Sequence, residues 1–221
     1  MNITEAIRDR ASIRAFTDRE VSRDVIHQIL DTARWAPSGV NTQPWQVVVI
    51  TGDTKQKIGD ALIEARSSGQ TPNPDYKYYV DRFAEPYRSR QEACGLALYG
   101  ALGIERGDKQ ARMDQWMKNY HGFGAPVELL FFVDAALEKG SWVDMGMFIQ
   151  NVMLVARGHG LETCPQASMA EFPDIVRRIL SLPESQLLVC GVAVGYADAD
   201  NPVNNYRTER EPVESFTKWL E

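Results

Sequence analysis

The sequence has few of the residues that build disulfide frameworks and metal centres. Of its 221 residues, three are cysteine and three are histidine. Cys94, Cys164 and Cys190 form no CxxC motif and have no histidine at metal-ligand spacing, which argues against a disulfide scaffold and a zinc site. We therefore expect no metal, and three buried or half-buried free thiols that pack as small hydrophobic residues in a reducing compartment.

The chain also lacks a basic surplus and long apolar runs. Its formal net charge is -6 and its pI is about 5.2. Nucleic-acid binding needs a basic face and is not expected, whereas a small anionic cofactor needs only a few arginines. The opening "MNITEAIRDR" has no signal-peptide core, and "MGMFIQNVMLVA" is shorter than the ~20 residues of a membrane span. We expect a cytoplasmic protein without membrane partners.

A self-sufficient catalytic motif is absent as well. No GxSxG, HExxH, P-loop or GxGxxG pattern stands in a fitting context. The histidines His27, His121 and His159 are isolated from one another and from any nucleophile. Any chemistry is therefore expected to come from a cofactor.

Hydrophobic periodicity predicts one domain, residues 1–221, in which helices and strands alternate. The apolar runs "WQVVVI", "PVELLFFVD" and "QLLVCGVAVGYA" are typical of strands, and the first has both faces buried by this criterion. A helix opening at Ser141 is apolar nearly all round, which indicates burial in the core or in a subunit interface. Another helix is expected to end at Pro37. The order indicates an α+β fold, an α/β mixed sheet flanked by helices.

Two segments carry arginines that could bind an anion. "RASIR" places Arg10, Ser12 and Arg14 at alternate positions, which point the same way in an extended chain. Two guanidinium forks and a hydroxyl then make an anion cradle. "NNYRTER" adds Arg207 and Arg210, which contribute only if the tail folds back to the first cluster. For Arg10 and Arg14 the alternative is pairing with acids such as Asp9 or Glu20, and for Arg207 and Arg210 it is plain solvation.

Several motifs together resemble the FMN-dependent nitroreductase family. They are, in chain order, "RASIRAF", "APSGVNTQPWQVVVI", "GLETCPQ", "VGYAD" and "RTEREP", and the resemblance covers essentially the whole chain. The stretch "YRSRQEACGLALYGALGIERGD" further resembles the subgroup of nitrobenzene and nitrobenzoate reductases. The resemblance implies a homodimer with a mixed sheet, FMN bound between subunits, and a C-terminal arm, residues 198–221, that packs on the partner through Phe216, Trp219 and Leu220.

The resemblance also implies the site residues. Arg10 and Ser12 bind the FMN phosphate, with Arg210 and its neighbour Arg207, and Arg14 faces the N1/O2 edge of the ring. The other implied flavin contacts are Pro37, Ser38 and Gly39 from the partner chain, and Pro165, Gln166 and Ala167 near flavin N5. Asn41 and Gln43 are expected to brace the loop that carries Pro37. Ser168 stands where relatives often have glycine.

Substrate contacts are implied for three aromatic residues, Trp116, Tyr120 and Phe123; helix core packing is the alternative. The implied reaction is ping-pong transfer of a hydride from NADH or NADPH, through FMN, to a small nitroaromatic or quinone acceptor. Two enzymatic alternatives keep FMN: deiodinase-like reductive dehalogenation, with the aromatic stretch 70–90 as a lid, and flavin fragmentation. A non-catalytic flavin-binding protein is the third alternative.

Overall fold

A four-stranded antiparallel sheet forms the centre of the computed structural model, which describes residues 2–221. The strands are β1 (Gln46–Thr51), β2 (Val127–Asp134), β3 (Glu162–Gln166) and β4 (Gln186–Gly195), in the spatial order β1-β2-β4-β3. All three strand pairings are antiparallel. Among residues 2–221, parallel pairing is confined to the isolated bridge between Ser12 and Thr163. The four-stranded sheet itself is antiparallel throughout, whereas the resemblance implies a mixed sheet.

Seven α-helices flank this sheet in the described chain. They are α1 (Ile3–Asp9), α2 (Arg23–Ala33), α3 (Gly52–Ser67), α4 (Tyr87–Ala101), α5 (Lys109–Met117), α6 (Lys139–Gly158) and α7 (Pro173–Leu180). Asn2 and Glu5 form a capping box that starts α1, and the Ser22 side chain caps α2. α2 ends at Ala33, earlier than Pro37, and α6 begins at Lys139 rather than Ser141. The α+β class is confirmed.

Strand β2 divides the apolar core into two layers. Leu129, Phe131 and Val133 pack with the buried faces of α2 and α6, whereas Leu130 and Phe132 pack with α3 and α7. This alternation follows from the two-residue period of a strand, and β2 is accordingly apolar on both faces. The strand therefore holds the two helical layers together from the inside of the sheet.

Strand β1 is less buried than its apolar sequence predicts. Ile50 is its one fully buried residue, and Val49 is 43% exposed. The reason is its place at the edge of the sheet, where it pairs with β2 alone. Cys94 also differs from expectation, because it is exposed on α4, a helix with no buried residue; Cys164 is buried and Cys190 half-buried.

The C-terminal segment first packs on its own chain. The Asp198 N–H donates to the Ala15 carbonyl at 3.0 Å, and the Asn204 amide donates to the same carbonyl at 2.8 Å. Beyond these contacts, Phe216, Trp219 and Leu220 are between 71% and 82% exposed. The first part of the segment 198–221 is therefore held by the N-terminal segment of its own chain, and its packing on a partner stays a prediction.

Candidate functional site

The segment after α1 presents three polar side chains on one side. Helix α1 ends at Asp9, and the chain continues in extended form beside β3, where the Ile13 N–H donates to the Thr163 carbonyl at 3.0 Å. Ile13 is 5% exposed and Ala15 9%, so these two point into the core. Arg10, Ser12 and Arg14, at alternate positions of the segment, line one cleft, as the alternating pattern predicts.

We call this space of about 590 Å³ the arginine cleft. Its lining residues are Ile7, Arg8, Asp9, Arg10, Ala11, Ser12, Arg14, Cys94, Tyr206, Arg207, Thr208 and Arg210. The tail therefore does fold back to the first arginine cluster. Five arginines but one carboxylate line the cleft, which makes it a positive region in a chain of net charge -6. Such a region concentrates small anions.

The electrostatics of Arg10 favour a bound anion. Burial lowers the pKa of the Arg10 guanidinium, and the positive charge of Arg210 lowers it further. An anion placed between the two guanidinium groups relieves both effects, because charge-assisted hydrogen bonds to phosphate oxygens replace repulsion. Among the described residues, neither Arg10 nor Arg210 forms an ion pair with a carboxylate within 4.0 Å, which supports the anion-cradle interpretation.

A second space, the strand-end cleft, meets the arginine cleft at Arg14. It has a volume of about 440 Å³ and lies where β3 ends. Its lining residues are Arg14, Pro72, Pro74, Tyr76, Lys77, Tyr78, Tyr79, Leu98, Trp116, Asn119, Pro165, Gln166, Ala167, Ser168, Ala170 and Glu171. Because the two clefts share Arg14, together they fit an elongated ligand with an anionic end and a flat end. FMN has this shape and charge distribution.

The predicted flavin-contact segment, Pro165 to Ala167, lies at the strand-end cleft and is fixed there by a hydrogen bond. The Gln166 amide donates to the Asn119 carbonyl at 2.5 Å, which fixes the side chain under the cleft. Pro165 and Ala167 flank it at the cleft surface. Ser168 lies in a short 3-10 helix, Ala167–Ala170, without a positive φ, so serine replaces glycine here without backbone strain.

The facing wall of this cleft, residues 72–79, belongs to the stretch 70–90, which the sequence suggested only as the lid of the dehalogenase alternative. Asp75 forms an ion pair with Arg177 and accepts from the Leu188 N–H at 2.8 Å. The Tyr76 hydroxyl donates to the Val189 carbonyl at 2.7 Å. These contacts fix Asp75 and Tyr76 to β4, whereas the side chains of Tyr78 and Tyr79 are about 60% exposed. The density of tyrosine and proline here was a signal that the sequence offered.

Of the three predicted substrate aromatics, the structure brings one to the cleft. Trp116 lines the strand-end cleft. Tyr120 is 1% exposed and its hydroxyl donates to Glu171 at 2.8 Å. Phe123 is buried against Ile13. Tyr120 and Phe123 therefore pack in the core, as the alternative holds, and the substrate role of Trp116 stays a prediction.

The loop after α2 lines neither cleft of its own chain. Val40 and Asn41 have φ angles of 44° and 60°, and Gln43 has 49°. A β-branched residue such as valine rarely adopts this conformation, and such strain is often found at functional sites. The Ser38 hydroxyl accepts from the Gln43 N–H at 3.0 Å, and the Gln43 amide donates to the Asn41 carbonyl at 3.2 Å. Pro37, Ser38 and Gly39 are thereby displayed outward.

A buried carboxyl lies beneath the site, on β2. Glu128 is 1% exposed, and neither of its carboxyl oxygens has a hydrogen-bond partner among the described residues. It fits because Gly122 and Gly191 lack side chains: a Cβ on them would lie 2.6 and 2.4 Å from its oxygens. Burial raises the pKa of Glu128 well above its usual range, although the positive charge of Lys55 opposes the shift. The carboxyl is therefore neutral over part of the range where exposed glutamates are charged.

Substitution Glu128→Gln is expected to remove a pH dependence of stability. The folded state holds the Glu128 proton above the pH at which the unfolded chain releases it, about 4.3. The free energy of unfolding of the wild type therefore falls as pH rises through that window. The variant's advantage should grow with pH, as measured by urea unfolding at several pH values. Glu64→Gln, at an exposed glutamate, is the control; parallel curves for wild type and Glu128→Gln would contradict the expectation.

The described residues contain neither a candidate metal centre nor a candidate membrane-spanning helix. Within residues 2–221, no group of three His, Cys, Asp or Glu side chains is placed to hold a metal ion. In the same part of the chain, every helix is too short or too polar to cross a membrane. The candidate site therefore consists of the two joined clefts and their arginines.

Comparisons with known proteins indicate the family of this chain. Residues 7–196 match the Nitroreductase family. A 4-nitrobenzoate reductase of Pseudomonas putida is 41% identical, covering 97% of this chain and 93% of that protein. A nitrobenzene nitroreductase of Ectopseudomonas oleovorans is 37% identical, covering 99% and 96%. The crystal structure of the FMN and NADPH-dependent nitroreductase NfnB from sphigopyxis sp. strain HMH superimposes with a TM-score of 0.97 at 40% identity, covering all of both chains. The chain belongs to the nitroreductase family.

Proposed function

We propose that this chain is an FMN-dependent oxidoreductase that transfers a hydride from NADH or NADPH to nitroaromatic or quinone-type acceptors by a ping-pong mechanism. The observation that carries the proposal is that Arg14 lines both the positive arginine cleft and the strand-end cleft, which is rich in aromatic residues. The relatives named for nitroarene reduction support the acceptor class. We further place the enzyme in the cytoplasm, in line with its free thiols.

The side chains of the arginine cleft fit the phosphate of FMN by their chemistry. Arg10, Ser12, Arg207 and Arg210 supply donors for the phosphate in the arginine cleft. When bound, FMN supplies the redox chemistry, since its ring accepts a hydride from the nicotinamide and returns it to the acceptor. Arg14 places a positive charge at the ring edge, which favours negative charge there. The strand-end cleft, with a volume of about 440 Å³ and aromatic residues in its lining, would hold the ring.

We infer that the functional unit is a homodimer. On α6, Val143, Met147, Gln150 and Leu154 are exposed or half-buried at the i, i+4, i+7 and i+11 positions. This spacing makes a single stripe, which suits contact with a second copy of the same helix. The outward display of Pro37, Ser38 and Gly39 supports a site completed by the partner's loop. The C-terminal anchors Phe216, Trp219 and Leu220 gain a binding surface in the same assembly.

The proposal is tested with the full chain loaded with FMN. We expect a yellow protein that NADH or NADPH bleaches, and that a nitroarene or quinone reoxidises. Steady-state kinetics should give parallel double-reciprocal lines, as ping-pong transfer requires. Turnover of a halotyrosine without nitroarene turnover would favour the dehalogenase alternative. A flavin that no nicotinamide bleaches would favour a non-catalytic binding protein, and a chain that binds no FMN would refute the proposal.

A further inference from the structure

We propose that Tyr206 is a positioning residue that orients the Arg14 guanidinium without neutralising its charge. The inference rests on the proposed function, because it concerns how the chain prepares Arg14 for the flavin edge. Tyr206 lies in the arginine cleft, in the first part of the C-terminal segment. It lies within the segment "NNYRTER", in which only the arginines indicated a site, and it is separated from Arg14 by almost the full chain.

The contacts hold Arg14 from two sides. The Arg14 guanidinium donates through Nη1 to the Tyr206 hydroxyl at 2.7 Å and to the Ser12 carbonyl at 3.3 Å. The Arg14 backbone N–H donates to the Asn204 side-chain oxygen at 2.8 Å. Asn204 is itself fixed, since its amide donates to the Ala15 and Asp198 carbonyls, each at 2.8 Å. The segment 204–206 therefore sets both the backbone and the side-chain direction of Arg14.

The chemical type of the partner decides what Arg14 can do. Across residues 2–221, Arg14 forms no ion pair with a carboxylate within 4.0 Å, so its positive charge is not cancelled. Burial raises the pKa of the Tyr206 phenol, and the positive charge of Arg14 opposes that shift. The phenol is therefore neutral at physiological pH. The phenol accepts a hydrogen bond from the Arg14 guanidinium and fixes its orientation. A carboxylate of Asp or Glu at this position would instead compete with an anionic ligand for that guanidinium.

The position of the pair agrees with this role. Arg14 lines both clefts, while Tyr206 lines the arginine cleft alone. Tyr206 therefore supports the guanidinium from the phosphate side and leaves the strand-end cleft open for the ring. Preorganised charge of this kind stabilises developing negative charge because it needs no rearrangement during the reaction. Without the phenol, the Arg14 side chain regains rotamers that point away from the ring edge.

The test is Tyr206→Phe, alone and combined with Arg14→Gln. Tyr206→Phe is expected to raise the Kd for FMN about tenfold, in line with the loss of a hydrogen bond to a charged group. The midpoint reduction potential of bound FMN should become more negative. In the Arg14→Gln background, Tyr206→Phe should change neither quantity, because its effect runs through Arg14. Tyr196→Phe is the control, since Arg19 contacts the ring of Tyr196 at 3.8 Å rather than its hydroxyl.

Fluorescence quenching of FMN gives the Kd, and thermal unfolding of the apo chains reports the fold. Equal effects of Tyr206→Phe with and without Arg14 would overturn the positioning role, as would an unchanged Kd and potential. A wild-type chain that binds no FMN would remove the proposed function and this inference together. Normal binding by the wild type with no response to Tyr206→Phe would remove this inference alone.

Discussion

The double variant Arg10→Ala with Ser12→Ala is expected to fold normally and to lose FMN. Arg10 and Ser12 face the arginine cleft from alternate positions of one extended segment. In the proposed function both donate to the phosphate, and hydrogen bonds to a charged group contribute roughly 1.5–3 kcal/mol each. Their combined loss corresponds to an increase of about 10²–10⁴-fold in the Kd for FMN. The protein should then purify colourless and regain flavin only at high FMN concentrations.

The fold should tolerate this change. Removal of Arg10 also removes the repulsion from Arg210 that lowers its pKa. Because burial and the repulsion from Arg210 both disfavour the Arg10 charge, the apo variant is expected to unfold at about the temperature of the apo wild type. Arg23→Ala with Ser67→Ala, a matched pair at exposed positions, controls for the loss of an arginine and a serine. A double variant that retains stoichiometric flavin with an unchanged Kd would show that the phosphate binds elsewhere.

A milder change separates charge from geometry at the same position. Arg10→Lys keeps the positive charge but loses the planar fork that matches two phosphate oxygens. Its Kd for FMN should fall between those of the wild type and the double variant. Isothermal titration with FMN and with riboflavin, which lacks the phosphate, measures this directly. The variants should weaken FMN binding but leave riboflavin binding little changed.

Local patterns predicted the first half of the site because they depend on neighbours in sequence. Arg10, Ser12 and Arg14 share a face as soon as the segment is extended, and Ile13 confirms the extension by its burial. By contrast, Tyr206 reaches Arg14 across 192 positions. No periodicity contains that contact, since it depends on where the tail meets the N-terminal segment. Long-range polar contacts of this kind need the fold.

Apolar periodicity predicts that a face is buried, but not whether it is buried in the core, against a substrate or against a partner. Tyr120 and Phe123 have the same pattern whether they pack in the core or contact a substrate, and the structure places both in the core. The run at β1 predicted a strand buried on both faces, yet β1 lies at the sheet edge, pairs with β2 alone and is only partly buried. Apolar content does not indicate which strands become neighbours. The apolar circumference of α6 has the same ambiguity. One face packs in the core, and the other lies outside it, where we propose that a second copy binds.

Substitution of Val143→Glu with Met147→Glu on that outer face is expected to give a monomer with little affinity for FMN. Val143 is 66% exposed, so glutamate is tolerated at that position in the isolated chain. Met147 is half-buried against the core, and thermal unfolding of the variant checks that the fold is kept. In a two-fold dimer each substitution appears twice, and the four carboxylates face each other across the axis. Like charges in an interface cost several kcal/mol, which weakens dimerisation by roughly 10³-fold.

Loss of flavin should follow from loss of the partner's loop. Pro37, Ser38 and Gly39 lie outside both clefts of their own chain, so a monomer offers the phosphate site of the arginine cleft but no second wall for the ring. Sedimentation velocity with an FMN titration measures assembly and binding on the same samples. Lys57→Glu, at an exposed site on α3, gives the same change of net charge and should stay dimeric and yellow. A monomeric variant that binds FMN as tightly as the wild type would confine the site to one chain, because the arginine and strand-end clefts would then suffice without the partner's loop.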